Sequence, residues 1–148
     1  MAPIADSRLR EISDAECLEL LKGEQVGRIA VVVEGCPQIF PVNYALDASG
    51  SVILRTAIGT KLAAAVNHHV AFEVDRFDAE MQTGWSVVVH GVAHQTTGVA
   101  AGPAPLGSWL ADRPHLVRIA HRSVSGRRLE SRPISETHFG RRSATGPS

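Results

Sequence analysis

The sequence predicts a mainly β protein, a six-stranded antiparallel barrel with short flanking helices. Three observations carry this. Six segments are rich in β-branched and aromatic residues, compact turn signals separate most of them, and a helical pattern occurs only in short stretches. Closing such a set into a barrel removes the exposed sheet edges that an open sheet would leave. The chain has 148 residues, 44% of them hydrophobic and 20% charged, enough for one domain burying roughly 68–70% of its unfolded surface. That domain is expected over residues 1–130, followed by a polar tail over 131–148, ending GRRSATGPS, with too little apolar surface to order itself.

The first element is a helix over 13–22, SDAECLELLK. Ser13 and Glu16 form a capping box, Cys17, Leu18 and Leu21 share a face, and Gly23 ends the run. VGRIAVVVEG and PQIFPVNYALD then read as a hairpin with its turn signals between Glu34 and Pro37. Pro41 cannot donate to a ladder, so its strand needs an edge, a bulge or a break there. DASG at 47–50 is a turn and SVILRT the third strand. Thr60 is a candidate N-cap for a short helix, KLAAAVNHH. VAFEVDRF alternates as a half-buried strand, and GWSVVVHGVAHQTT is a longer one with a bend expected at Gly91. Residues 98–114 read as loop or weak helix, and HLVRIAH supplies the sixth strand.

Charge and cysteine usage narrow the function classes. Fifteen Lys and Arg balance fifteen Asp and Glu, so no net field draws the chain to nucleic acid or anionic lipid. Cys17 and Cys36 are isolated, the N-terminus lacks a signal-peptide core, and no apolar run approaches the ~20 residues that span a bilayer. A cytoplasmic protein with reduced thiols is expected, with neither nucleic acid nor membrane as partner.

The stretch RTAIGTKL, Arg55 to Leu62, is chemically unusual. Lys61 stands at the start of a predicted helix, where the helix dipole favours anions. A phosphate there would gather first-turn N–H groups, the Thr60 hydroxyl, the Lys61 ammonium and the Arg55 fork. The competing reading is a solvated Lys61, an Arg55 paired with a nearby Glu, and Thr60 acting only as a cap. No metal centre is expected: His90 and His94 lie on a strand, where four residues span about 13 Å, and His68 and His69 have no ligand cluster beside them. No GxSxG elbow, Rossmann fingerprint or P-loop is present, and neither cysteine has a setting that would activate it, so no catalytic residue is assigned. Any chemistry must be carried by a cofactor. Trp85, at a strand entrance after Gln82, is either a core or interface ring or the flank of a planar ligand.

FPVNY, then RTAxGTKL, then GWSVVVxG, in this order and at these separations, resemble the pyridoxamine 5′-phosphate oxidase-like family of flavin-binding split β-barrels, in its actinobacterial branch. The resemblance covers roughly residues 13–130. It implies a split barrel, a homodimer, and two flavin sites at the subunit interface. It puts Arg55, Thr56, Thr60 and Lys61 on the phosphate. It further puts Val42, Asn43 and Tyr44 along the isoalloxazine with Leu54 beneath, and Gln82, Trp85 and Ser86 near the ring from the partner subunit. The implied cofactor is FMN or FAD, with a 5-deazaflavin as the alternative.

One departure matters. The last strand ends SGRRLESRP, without the Arg-x-His element that reads the substrate in pyridoxamine phosphate oxidases proper, which counts against vitamin B6 oxidation. Two functions follow from the resemblance: a flavin- or deazaflavin-dependent oxidoreductase acting on a small acceptor, or a non-catalytic flavin-binding protein for storage or sequestration. A haem- or metal-binding relative is weakened by the histidine spacing.

Overall fold

The Ser13 hydroxyl accepts a hydrogen bond from the Glu16 N–H at 3.2 Å, and this cap starts the helix α1, Asp14–Lys22. At the other end the Gly23 N–H donates to the Leu20 carbonyl at 3.1 Å. Cys17 and Leu21 are the buried residues of this helix. The structure is a computed structural model and describes residues 8–56, 65–96 and 115–131.

Among the described residues seven strands accompany α1: β1 (Leu9–Ile12), β2 (Val26–Val33), β3 (Cys36–Leu46), β4 (Val52–Thr56), β5 (His69–Asp78), β6 (Thr83–Thr96) and β7 (His115–Leu129). All ladders between them are antiparallel. Following neighbours around gives β7-β4-β3-β2-β5-β6, and β6 then pairs with β7 to close a ring of six strands. The seventh, β1, lies outside the ring. It occupies the second half of β7, from Leu9↔Leu129 to Ile12↔Gly126, whereas β4 pairs with the first half, from Thr56↔His115 to Val52↔Ile119.

Alternation builds the interior. Ile29 and Val31 of β2, Phe72 and Val74 of β5, and Val87 and Val89 of β6 are buried, with Leu54, Val117 and Ile119 from β4 and β7. The Tyr44 ring stands edge-on to Phe72 at 4.9 Å between centroids. The bend expected at Gly91 is a break in register between His90 and Gly91. There a Cβ would lie 2.3 Å from the Ala120 carbonyl oxygen, so only glycine lets the strands approach this closely.

The structure alters the sequence reading at several points. There is a seventh strand, β1, and β7 runs to Leu129, well beyond the expected HLVRIAH. The β2–β3 turn is tighter than the 34–37 segment: it consists of Glu34 and Gly35, both at positive φ (51° and 76°), while Cys36 and Pro37 already belong to β3. Those angles are what a two-residue turn matching strand twist requires. The helix expected to run through His69 does not reach that residue. Asn67 takes a left-handed φ of 67°, and His69 opens β5. Pro41 sits where β3 pairs with β2 but β4 has not begun to pair, so the expected edge is present on one side. Residues 65–68 of the expected helix are not α-helical either, since Val66 forms an isolated bridge with Ala93, while residues 61–64, the 98–114 segment and the tail beyond Ser131 lie outside the described residues.

Candidate functional site

Of the eleven residues singled out for a cofactor, six fall at one corner of the barrel. The β3–β4 ladder is short, running from Leu46↔Val52 to Tyr44↔Leu54. Both strands continue past that pair, β3 through Asn43 and Val42 and β4 through Arg55 and Thr56, without further pairing to each other. β3 stays with β2 through Asn43↔Val26 and Val42↔Gly27, while β4 stays with β7 through Arg55↔Leu116 and Thr56↔His115. A hairpin-like strand pair therefore parts where the candidate residues begin.

Each side chain at this corner has a definite setting. Leu54 is fully buried and Val42 half-buried, while Asn43 is exposed. Tyr44 points into the core and its phenol donates to the Leu21 carbonyl of α1. Burial, with a smaller contribution from the Glu24 carboxylate, raises the Tyr44 pKa well above that of a free phenol. The Tyr44 ring is thus committed to the interior. Thr60 and Lys61 lie outside the described residues.

Gln82, Trp85 and Ser86 form a second group. Gln82 sits in the β5–β6 turn at φ 51°, and it is exposed. Trp85 is half-buried, packed against the edge of the core, with Arg76 opposite on β5 and Arg128 opposite on β7. Ser86 pairs with Asp75 and Arg127.

The two groups do not meet within one chain. β7 measures the gap: Leu54 lies opposite Val117, and Trp85 lies opposite Arg128, eleven residues farther on. At about 3.3 Å per residue this is roughly 36 Å of strand contour, several times the width of a planar ring system.

Beside Trp85 is a feature that the sequence reading missed. A cavity of about 680 Å³ opens between the β5–β6 turn and the end of β7, with Arg76, Phe77, Trp85 and Arg128 in its wall. The Arg128 guanidinium bonds Glu16 at 2.8 Å, but its buried Nε has no partner among the described residues. The alternation of DRFD offered only a strand-end pattern. The union of Arg76 with Arg128 depends on a register across more than forty residues of sequence.

Known proteins bear on this geometry. A sequence model described as pyridoxamine 5′-phosphate oxidase matches residues 13–128. Among solved structures, an FAD-binding protein from Mycobacterium smegmatis is 36% identical, with a TM-score of 0.66, over 81% of this chain and 97% of that one. A conserved protein of unknown function from Corynebacterium diphtheriae is 32% identical, with a TM-score of 0.63, over 82% of this chain and 98% of that one. An uncharacterised protein of Mycobacterium tuberculosis is 34% identical over 102 residues, which are 65% of this chain and 66% of that protein, just under two thirds of its length. The ring of six antiparallel strands and the family match over most of the described residues lead to one assignment: the chain belongs to the pyridoxamine 5′-phosphate oxidase-like family of split β-barrels.

Proposed function

We propose that the protein binds a flavin and acts as a flavin- or deazaflavin-dependent oxidoreductase on a small acceptor. The observation that carries the reading is the 36% identity over 81% of the chain to a protein that binds FAD. The parting of β3 and β4 supports it. A ring could lie along Val42 to Tyr44 over the Leu54 wall, and Arg55 at the strand end, with Thr56, Thr60 and Lys61 following in sequence, would hold a phosphate. These donors suit FMN and FAD alike, since both carry a phosphate at the same distance from the ring.

The separation of the two groups along β7 supports a site shared between the two subunits of a homodimer. Gln82, Trp85 and Ser86 would come from the partner subunit, close the ring's other face and exclude water. When bound, the flavin supplies reversible hydride acceptance. The chain's part is to bind, to orient and to hydrogen-bond. The cysteines Cys17 and Cys36 are free thiols, in keeping with a cytoplasmic protein, and no helix among the described residues is long and apolar enough to cross a membrane.

A second reading, flavin storage or sequestration without turnover, is favoured by one observation. The candidate ring-facing residues Val42, Asn43, Leu54, Gln82, Trp85 and Ser86 include no general acid or base, and the phenol of the remaining one, Tyr44, is turned inward onto the Leu21 carbonyl.

Titration of wild-type protein and Lys61→Ala with FMN, FAD and riboflavin tests the binding mode. Loss of a charge-assisted hydrogen bond worth roughly 1.5–3 kcal/mol should weaken FMN about ten- to a hundredfold and leave riboflavin nearly unchanged. Equal weakening of both ligands would sink the phosphate assignment. Sedimentation should give twice the 15.8 kDa chain mass, and a monomer with full flavin affinity would exclude a shared site. Anaerobic reduction by NADPH or reduced deazaflavin, followed by reoxidation with a test acceptor, separates the oxidoreductase from the carrier.

A further inference from the structure

Among the described residues, one side of β3 carries no ladder from Cys36 to Val42. β2 occupies the other side of this stretch, and β4 begins to pair only at Tyr44. The direction of each backbone N–H follows from the register. The Tyr44 N–H donates to the Gln25 carbonyl at 3.0 Å, one step beyond the Asn43↔Val26 pair, so Val42, Phe40 and Gln38, at every second position back along the strand, also turn their backbone groups to β2. Pro37, Ile39 and Pro41 therefore present theirs to the open side. All three residues are exposed, Ile39 at 68%.

An open edge of this kind is a template for another strand. Two common guards are missing from it. Cys36 to Val42, CPQIFPV, contains no charged residue, and its one-to-one register with β2 leaves no bulge to twist the edge away. What the edge does have is proline at two of its three outward positions, where the ring removes the donor. A second copy laid antiparallel about Ile39 would set Ile39 against Ile39, with Pro37 opposite Pro41 on either side. The central pair could exchange N–H···O bonds in both directions. The flanking pairs, with no donor in either residue, could form none.

From this we infer that Pro37 and Pro41 act together to keep the β3 edge from pairing with the same edge of a second copy of this chain. Their spacing of four places both on one side of the strand, and Ile39 is left as the single donor between them. The inference does not depend on the flavin reading.

Sedimentation velocity of the full-length protein over a range of concentrations tests it. Pro37→Thr and Pro41→Thr restore the two donors with a residue that favours strands and adds no apolar surface. The double variant should form concentration-dependent species of at least twice the wild-type mass, and each single variant fewer of them, with native circular dichroism retained. Adding Ile39→Lys to the double variant puts a charge at the centre of the edge and should return it to the wild-type mass. This last variant separates edge pairing from misfolding, since a lysine at an exposed position would not rescue a chain that aggregates because it is unfolded. The inference is overturned if the double variant sediments as the wild type at every concentration, or if Ile39→Lys leaves its association unchanged.

Discussion

The Asp47 carboxylate of the β3–β4 turn meets the Arg118 guanidinium of β7 at 3.0 Å. Burial by itself would raise the Asp47 pKa. Hydrogen bonds from the Ser49 hydroxyl, from Arg118 and from the Ser51 and Ser49 N–H groups outweigh it and bring the value down to about 2. Since the folded value lies below the unfolded one of about 3.9, this interaction is fully present above roughly pH 4 and is lost as the pH falls toward 2. Arg118 is 38% exposed, so solvent screening leaves roughly 1–2 kcal/mol. Urea unfolding at pH 5 and pH 2 should show that loss in the wild type and a flatter response in Asp47→Asn. An unchanged acid limb in the variant would place the effect elsewhere.

Tyr44→Phe should destabilise the fold by about 1–3 kcal/mol, because the Leu21 carbonyl loses its phenol donor in a buried setting. The raised Tyr44 pKa adds a signature at the alkaline end. The neutral phenol is favoured in the fold, so its contribution is complete below about pH 10 and fades as the pH rises further. Denaturant midpoints at pH 7 and pH 11 should converge between wild type and variant. Equal differences at both values would exclude the phenol as the origin.

The two thiols should differ sharply. Cys17 is fully buried, and burial first, then the Asp14 and Glu16 carboxylates, raise its pKa. Cys36 is exposed at the start of β3. A chromogenic disulfide reagent should therefore modify one thiol per chain quickly in the native protein, and the second only on unfolding. Rapid labelling of Cys36→Ser would contradict the buried placement of Cys17.

Glu34 adopts φ 51° in the tight turn, a conformation that asparagine tolerates far better than glutamate. Glu34→Asn should raise stability by about 0.5–1 kcal/mol, measurable as a higher thermal midpoint. A lower midpoint would mean that the Glu34 side chain makes a compensating contact.

Much of the fold was legible because its signals are local. The Ser13 cap, the DASG turn and the bend at Gly91 all act within a few residues of themselves. β1 carries no such signal: in LREI three of four residues are exposed, and the segment is a strand only because the end of β7 lies beside it. The second half of β7 was hidden for a related reason. Its inward position is Gly126, whose missing side chain makes the stretch look polar, yet a Cβ there would lie 2.6 Å from the Cys17 sulfur and 2.8 Å from Ile12. At the candidate site, the corner from Val42 to Thr56 could be read as one strand–turn–strand unit. Bringing Trp85 against both Arg76 and Arg128 needed the register of three strands.

The pairing of Leu9 with Leu129 also has a temporal consequence. During synthesis the chain emerges from its N-terminus, so β1 waits for its partner until nearly all the described residues have left the ribosome. β4 and β6 wait similarly for β7. Only the β2–β3 hairpin, its β4 extension and the β5 and β6 pairings can form earlier, and with the ring still open their edges are uncovered. Such non-local closure is slow, in the millisecond-to-second range for small barrels. The final strand is thus the clasp of the molecule, and the interval before it arrives is when the nascent chain is most exposed to aggregation.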